Sequence, residues 1–452
     1  MNAALMERPQ SILPQIQFGR VFFPLLPYDV VVFDLDGTLT DSQLGIYRCA
    51  RYALEKMGFP VPDDAVLRKF MGPPLAESYM KYCGMTEAEA VRGTDLYRER
   101  YIPIGWKENN VFPLIRPLLK ALRDQGAYLA VATGKPQKTS EDILRYFGLL
   151  PYLDAVAGPD DSDMHADKGD LIRRVLPKGY RRAVMVGDTA GDVKGAQDCG
   201  IDSIGALYGY GENADLLAAR PTHTAEDTQA LCALLCPDMP PRKGCFITLE
   251  GVDGCGKSTQ ASALQQRLEQ FGYPVRRTRE PGGCLIAEEI RKIVLAKEDG
   301  GMCPETEALL FAAARAQHVK EVILPAVARG EVVLCDRFVD SSLVYQGMAR
   351  GLDAEWVKEI NRAAYREGAP DATLYLRMSH VDAMARRLAA SDPDRIEKAG
   401  DSFHARTEAA YEQLMRENPD RFIAVNAAQA PEQVTEEAFG RLFARMVERG
   451  VL

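Results

Sequence analysis

Two pairs of aspartates, each closing an apolar run, are the first residues able to do chemistry. Val30-Val-Val-Phe-Asp34-Leu-Asp36-Gly ends in two carboxylates, and Ala183-Val-Met-Val-Gly187-Asp188-Thr-Ala-Gly-Asp192 ends in two more. If Asp34 and Asp36 continue an extended strand, alternation points both into one site. Tyr128-Leu-Ala-Val-Ala-Thr133 is another run, ending in a hydroxyl, and Lys168 opens a helical segment after Asp167. Four acids at one sheet edge repel each other unless a divalent cation sits among them, and an all-oxygen site of that kind suits Mg²⁺. Each part alone has a plainer reading. The acids could form a solvated turn, Thr133 could cap the next helix, and Lys168 could be a solvated helix-start lysine.

A second group is glycine-rich. Phe246-Ile-Thr-Leu-Glu250 is followed by Gly251, Val252, Asp253, Gly254, Cys255, Gly256, Lys257, Ser258 and Thr259, and a helical run begins at once. This is GxxxxGK[ST] between strand and helix, a loop whose backbone N–H groups surround phosphates. The helix N-terminus adds partial positive charge. Lys257 is expected to reach the β and γ phosphates of a nucleoside triphosphate, and Ser258 to ligate Mg²⁺. Further on, Glu331-Val-Val-Leu-Cys-Asp336-Arg337-Phe338 ends in a carboxylate and a guanidinium. A helix-capping role is the plainer reading of Asp336.

These residues need elements to hold them. The chain has 452 residues, a prior of about three domains or two large ones. Strand-like and helical patterns alternate from Val30 to Leu235 and again from Cys245 onward, separated by Cys236–Gly244 with three prolines and a glycine. The expected fold class is therefore α/β, with two doubly wound parallel-sheet domains. The expected boundaries are 1–26 as an N-terminal extension, 27–236 as the first domain, 237–243 as a linker and 244–452 as the second domain. From 43 to about 112 helical patterns run without a convincing strand. Ile46, Cys49, Ala50, Ala53, Leu54 and Met57 give Ser42–Met57 an amphipathic helix. An insert of this kind looks like a cap over the strand ends, where open α/β sheets place ligands.

Composition narrows the class. Hydrophobic residues make up 46% and charged residues 26%, as in a globular chain rather than a disordered one. Lys+Arg 55 against Asp+Glu 64 gives a net charge of −9, which argues against a nucleic-acid polymer as partner. No apolar run approaches the ~20 residues of a spanning helix, and Glu7, Arg8 and Pro9 interrupt any signal peptide. Ten cysteines without a CxxC pair suggest a reducing cytoplasm, with Cys232 and Cys236 as buried thiols. The histidines at 165, 223, 318, 380 and 404 show no metal-ligand spacing and receive no role.

In the order Asp, Asp, Thr, Lys, Asp, Asp, residues 27–236 resemble the haloacid dehalogenase superfamily of phosphohydrolases. The resemblance implies a Rossmann-like domain with a helical cap. It implies Asp34 as nucleophile forming an aspartyl-phosphate, Asp36 as general acid/base, and Thr133 and Lys168 holding phosphoryl oxygens. Mg²⁺ would sit on Asp34, the Asp36 carbonyl and Asp188, with Asp192 close by. Phe70-Met-Gly-Pro-Pro-Leu75 and Glu108-Asn-Asn-Val-Phe-Pro113 look like its phosphoglycolate phosphatase and 5′-nucleotidase branch. The substrate is a phosphate monoester, for which a nucleoside monophosphate is the expectation.

Residues 244–452 resemble thymidylate kinase, a P-loop nucleoside monophosphate kinase fold. The loop acid Asp253, Thr278-Arg-Glu280-Pro281-Gly-Gly, Asp336-Arg337-Phe338 and Tyr345-Gln346-Gly347 occur in that family's order. The resemblance implies ATP and Mg²⁺, transfer of the γ-phosphoryl group to dTMP to give dTDP, and a homodimer through this half. Asp336 would order Mg²⁺, Arg337 would clamp the acceptor phosphate and Asp253 would accept from the deoxyribose 3′-OH. Glu280 and Pro281 would shape the acceptor pocket, and Ser342 would bond near the base. Phe311 and Arg315, four apart on a helix, suit a pyrimidine; a core phenylalanine beside a surface arginine is the alternative. Relatives with a small loop residue, here Cys255, carry extra lid arginines. The lid here keeps Arg395 but has Ala390, Ser391 and Asp392, so Arg386 or Arg387 would substitute.

The whole reads as a bifunctional enzyme: a dTMP kinase serving dTTP biosynthesis with a Mg²⁺-dependent phosphohydrolase. A regulatory, non-catalytic first half and a kinase for a different nucleoside monophosphate are the other readings.

Overall fold

The computed structural model describes residues 26–71, 74–160, 166–296, 301–390 and 400–448. The run Val30–Phe33 is buried on both faces, as a central parallel strand must be when helices cover both sides of its sheet. It lies between Tyr128–Ala132 and Ala183–Gly187, parallel to both. Ala155–Ala157 flanks one side, and Asp202–Ala206 and His223–Ala225 flank the other, to complete six strands.

The first strand stops at Phe33. Asp34 follows the strand, still donating its N–H to the Val186 carbonyl at 2.8 Å, while Asp36 lies in the turn that begins at Leu35, so the two acids do not share one regular extended strand. Leu39 and Thr40 both donate their N–H groups to the Leu35 carbonyl, closing that turn. Gly37 sits inside it at φ 79°, and a Cβ there would lie 2.2 Å from Asp188 Oδ2. Only glycine accommodates both the left-handed backbone and this approach.

The cap helix spans Gln43–Met57 and buries Ile46, Cys49, Ala50, Ala53 and Leu54. With Asp64–Arg68, Leu75–Cys83 and Glu87–Tyr101 it closes over a core of its own containing Phe70, Tyr79 and Tyr97. The short antiparallel pair Thr40–Asp41 with Asn110–Val111 carries the chain into and out of this insert.

The second sheet runs Val275–Arg279, Val332–Asp336, Cys245–Glu250, Ala372–Arg377 and Phe422–Asn426, all parallel. Between the helix Thr228–Leu235 and the strand Cys245–Glu250 no regular element intervenes. Cys232 and Cys236 are buried free thiols.

The two halves share one apolar core. Phe271 follows the helix Lys257–Gln270 and lies 5.2 Å from Phe147 of the first half and 4.7 Å from Phe439 of the second, ring centre to ring centre. Gln270 donates to the Lys107 carbonyl at 2.7 Å. The helix that begins at the glycine-rich loop thus ends against the return segment of the cap. Among the described residues no helix is long and apolar enough to cross a membrane.

Candidate functional site

At the carboxyl end of the first sheet, the ends of three adjacent strands bring Asp34, Thr133 and Asp188 together. Lys168, the first residue of the helix Lys168–Val175, reaches Asp34 at 2.9 Å, Asp192 at 2.7 Å and the Ala132 carbonyl at 3.1 Å. It is not a solvated lysine. Burial opposes its charge, but Asp192 and Asp34 outweigh burial and hold the ammonium well above the usual range. Thr133 Oγ1 accepts from the Lys135 N–H at 3.3 Å, while the next helix starts only at Gln137 behind Pro136. The threonine therefore holds its own loop and does not cap that helix. Asp192 does two jobs: Oδ2 accepts from the Thr189 N–H and hydroxyl, at 3.0 and 2.7 Å, and Oδ1 meets Lys168.

Candidate ligand oxygens of Asp34, Asp188 and Asp192 all lie within 4.8 Å of one another. Burial pushes Asp34 up to about 6, with Lys168 partly offsetting it. Burial and the charges of Asp34 and Asp192 push Asp188 up to about 7. Asp188 Oδ1 and Asp36 Oδ1 are buried without a hydrogen-bond partner among the described residues. An all-carboxylate donor set with orphaned oxygens fits a hard divalent cation such as Mg²⁺.

Two residues of this site went unassigned in the sequence. Lys135 pairs with Asp36 at 2.8 Å and donates to Tyr101 Oη at 2.8 Å. Tyr101 belongs to the cap, so the cap touches the acid/base candidate through one ammonium. Lys135 stands in the Thr133-Gly-Lys-Pro stretch, and its type and place were the available signal. Tyr101 carried none, because its approach depends on how the cap folds back.

In the second half one cavity of about 530 Å³ runs from the glycine-rich loop to Phe311 and Arg315. Asp253, Gly254 and Gly256 to Thr259 line it on the loop side, and Gly256 adopts φ 97° just ahead of the helix. Lys257 is folded back, donating to the Gly251 and Val252 carbonyls at 2.9 Å each. Ser258 donates to Asp336 Oδ2 at 2.7 Å. The carboxylate at the strand end therefore serves the loop and caps no helix. A hydroxyl and a carboxylate in this pairing fit a Mg²⁺ ion that accompanies phosphates. Gly254 packs against the Ala383 carbonyl of the helix His380–Ala390, which places Arg386 and Arg387 on the cavity wall. Arg386 also donates to the Ala427 carbonyl at 3.1 Å. Arg395, Ser391 and Asp392 lie outside the described residues.

Arg337 adopts φ 73°, a strained conformation for a residue with a Cβ. Its guanidinium bonds Asp253, Ser341 at 3.1 Å and Tyr345 Oη at 3.3 Å. Tyr345 in turn donates to Asp253 at 2.8 Å. Burial raises Asp253, but Arg337 and Lys257 outweigh it and hold the carboxyl below its ordinary value. Asp253 therefore stays ionised, a ready hydrogen-bond acceptor.

Arg315 is buried rather than at the surface. Nε bonds Glu280 at 2.6 Å, Nη1 bonds Ser342 at 3.0 Å and Asn361, and Nη2 bonds the Phe338 carbonyl at 3.0 Å. A guanidinium has five N–H donors; four are spent here, leaving one for a ligand. Glu280 does more than shape a pocket, because it anchors Arg315 and also meets His318 Nδ1 at 3.0 Å. His318 was missed; lying three residues beyond Arg315 on the same helix was its signal. Its other nitrogen meets Thr278 Oγ1 at 2.7 Å. Glu280, His318 and Cys335 are near enough to hold a metal, but these bonds already occupy the histidine and the glutamate.

The sequence matches two family models: "Haloacid dehalogenase-like hydrolase" over residues 31–206 and "Thymidylate kinase" over residues 249–438. A thymidylate kinase of Halalkalibacterium halodurans is 44% identical over 198 residues, 43% of this chain and 94% of that protein. One from Pelotomaculum thermopropionicum is 47% identical over 195 residues, 42% of this chain and 89% of that protein. The crystal structure of a predicted phosphatase from Clostridium acetobutylicum is 38% identical, covering 45% of this chain and 96% of that one, with a TM-score of 0.41.

Proposed function

Since this chain belongs to the thymidylate kinase family through its C-terminal half and carries a haloacid dehalogenase-like hydrolase domain ahead of it, we propose a bifunctional phosphoryl-transfer enzyme. The second half, 244–452, transfers the γ-phosphoryl group of ATP to dTMP. The first, 27–236, hydrolyses a small phosphate monoester through an aspartyl-phosphate on Asp34. Residues 237–243 link them.

The observation that carries the kinase reading is the single cavity joining the phosphate loop to Phe311 and Arg315. It has room for a triphosphate at one end and a pyrimidine nucleotide at the other. Lys257 would leave the loop carbonyls for the β and γ phosphates. Arg337 would hold the acceptor phosphate, its forked donors suited to two oxygens. Asp253 would accept from the 3′-OH, Phe311 would stack on the base and the free Nη2 proton of Arg315 would meet a base carbonyl. Ser258 and Asp336 would hold Mg²⁺, which when bound neutralises charge on the β and γ phosphates. Arg386 or Arg387, with Arg395, would stabilise the transferring group. Comparing dTMP, dUMP and dCMP as acceptors tests the assignment; preference for an acceptor other than dTMP contradicts it.

In the first half Asp34 Oδ would attack phosphorus, splitting one hard step into two. Asp36 would give the leaving oxygen its proton and then take one from the attacking water. Thr133 and Lys168 would hold the phosphoryl oxygens, and Lys168 is already among the carboxylates. Asp34, the Asp36 carbonyl and Asp188, with Asp192 behind, would hold Mg²⁺, which supplies charge neutralisation at the phosphoryl group. The favoured ester is a nucleotide other than dTMP, or phosphoglycolate, because hydrolysis of dTMP would oppose the kinase. Rapid dTMP hydrolysis in a screen of nucleotides and sugar phosphates would overturn that choice.

A homodimer through the kinase half gains support from exposed Leu285, Ile286 and Ile293 on one helix and Leu309 on the next. Apolar faces of this kind mark association surfaces. Sedimentation equilibrium of the full chain checks it, with a monomer as the contrary result.

A further inference from the structure

Away from both sites, a cavity of about 230 Å³ lies where the two halves and their linker meet. The first half contributes Arg116, Lys120 and Tyr152, the linker Arg242 and Lys243, and the second half Tyr273. Its lining carries four cations, Arg116, Lys120, Arg242 and Lys243, against one carboxylate, Asp124, and both guanidinium groups also lie over the Tyr273 ring. Lys120 is paired with Asp124 at 2.7 Å, but neither arginine has a carboxylate partner among the described residues. Arg116 is 5% exposed and gives its two terminal nitrogens to the Phe147 and Gly148 carbonyls. Arg242 gives one terminal nitrogen to the Gly272 carbonyl at 3.2 Å. Arg116 Nε, Arg242 Nε and the hydroxyl of Tyr273 also lack partners, but they are sealed behind these walls; the half-buried Arg242 and the exposed Lys243 are the more open cations of the lining.

We propose that this junction is a binding site for a phosphate-bearing small molecule, distinct from both catalytic sites. Guanidinium groups lacking a counter-charge match a phosphate dianion, and arginine's fork suits its oxygens. The volume far exceeds the ~30 Å³ of one water, leaving room for a short organic group against Pro240, Pro241 and the tyrosine rings. Because the walls come from both halves, an occupant also fastens one half to the other.

The test is calorimetric titration of the full chain with inorganic phosphate and, separately, with glycerol 3-phosphate. Both catalytic sites also take phosphate, so wild type is compared with Arg242→Gln and with Lys243→Gln, whose exposed side chain leaves folding unaffected. Wild type should show one binding event more than Arg242→Gln, or that event weakened about tenfold or more by loss of a charge-assisted bond. Lys243→Gln should weaken the same event, and both variants should keep wild-type turnover in the two activities. Tighter binding of the ester identifies an organic phosphate as occupant; equal binding identifies free phosphate. Superimposable titrations of all three proteins overturn the proposal.

Discussion

Arg315 and Glu280 show how a single buried pair sets the acceptor site. Arg315 keeps its orientation because four of its donors are fixed by the protein, and the strongest of these partners is the Glu280 carboxylate at 2.6 Å. Removing one member of a buried ion pair typically costs about 3–5 kcal/mol, most of it for the charge left behind. Glu280→Gln should therefore lower thermal stability and raise KM for dTMP about tenfold, which corresponds to ~1.4 kcal/mol, with KM for ATP unchanged. Steady-state kinetics with each substrate varied in turn would check this; a rise in both KM values would contradict it. Gly37 makes a comparable case in the first half. Gly37→Ala places a methyl group against Asp188 and should abolish phosphatase turnover while leaving the kinase rate intact, as parallel assays of both activities would read.

At the scale of elements, the carboxylate cluster at the ends of three strands responds to pH as a unit. Asp34 is raised to about 6 and Asp188 to about 7. A carboxyl raised on folding binds its proton more tightly in the folded chain. Its stabilisation is complete below its ordinary pKa of ~4 and is lost as pH climbs through the raised value. Without metal, the first half should therefore lose stability between about pH 4 and 7. Mg²⁺ must displace those protons, so its affinity should strengthen over the same range. Melting temperatures with EDTA and with MgCl₂ across that range would test both signs; a Mg²⁺ shift larger at pH 5 than at pH 8 would contradict them. Much at this scale was legible in the sequence. The strand runs, the cap helix and the loop between Glu250 and Lys257 follow from local periodicity and glycine placement. The turn that carries Asp36 just past the strand was not, because a strand running on through Leu35 and a turn starting there give the two acids the same spacing. Lys135, Tyr101 and His318 owe their roles to tertiary approach, which no local pattern records.

The molecule as a whole departs from two beads on a string. The linker looked like a simple spacer, but Phe271 packs on Phe147 across the junction and on Phe439 and Phe443 within its own half. Arg116 of the first half lies over the Phe271 and Phe443 rings. Nothing in the sequence announced this contact, since a buried phenylalanine at a helix end reads alike in a private or a shared core. Truncating a buried phenylalanine to alanine costs about 3–5 kcal/mol. Phe271→Ala should destabilise the chain by that order and split its calorimetric unfolding from one transition into two. A single unshifted transition would contradict the shared core.

If two separate phosphate-handling sites stand on one shared core, each should fail without the other failing. Wild type, Lys257→Ala and Asp34→Asn are each assayed for dTDP formation from dTMP and MgATP and for hydrolysis of an aryl phosphate. Lys257→Ala should lose the first activity and keep the second, and Asp34→Asn should do the reverse. A folded variant that loses both activities, or a wild type that forms no dTDP with any divalent metal, would contradict the account.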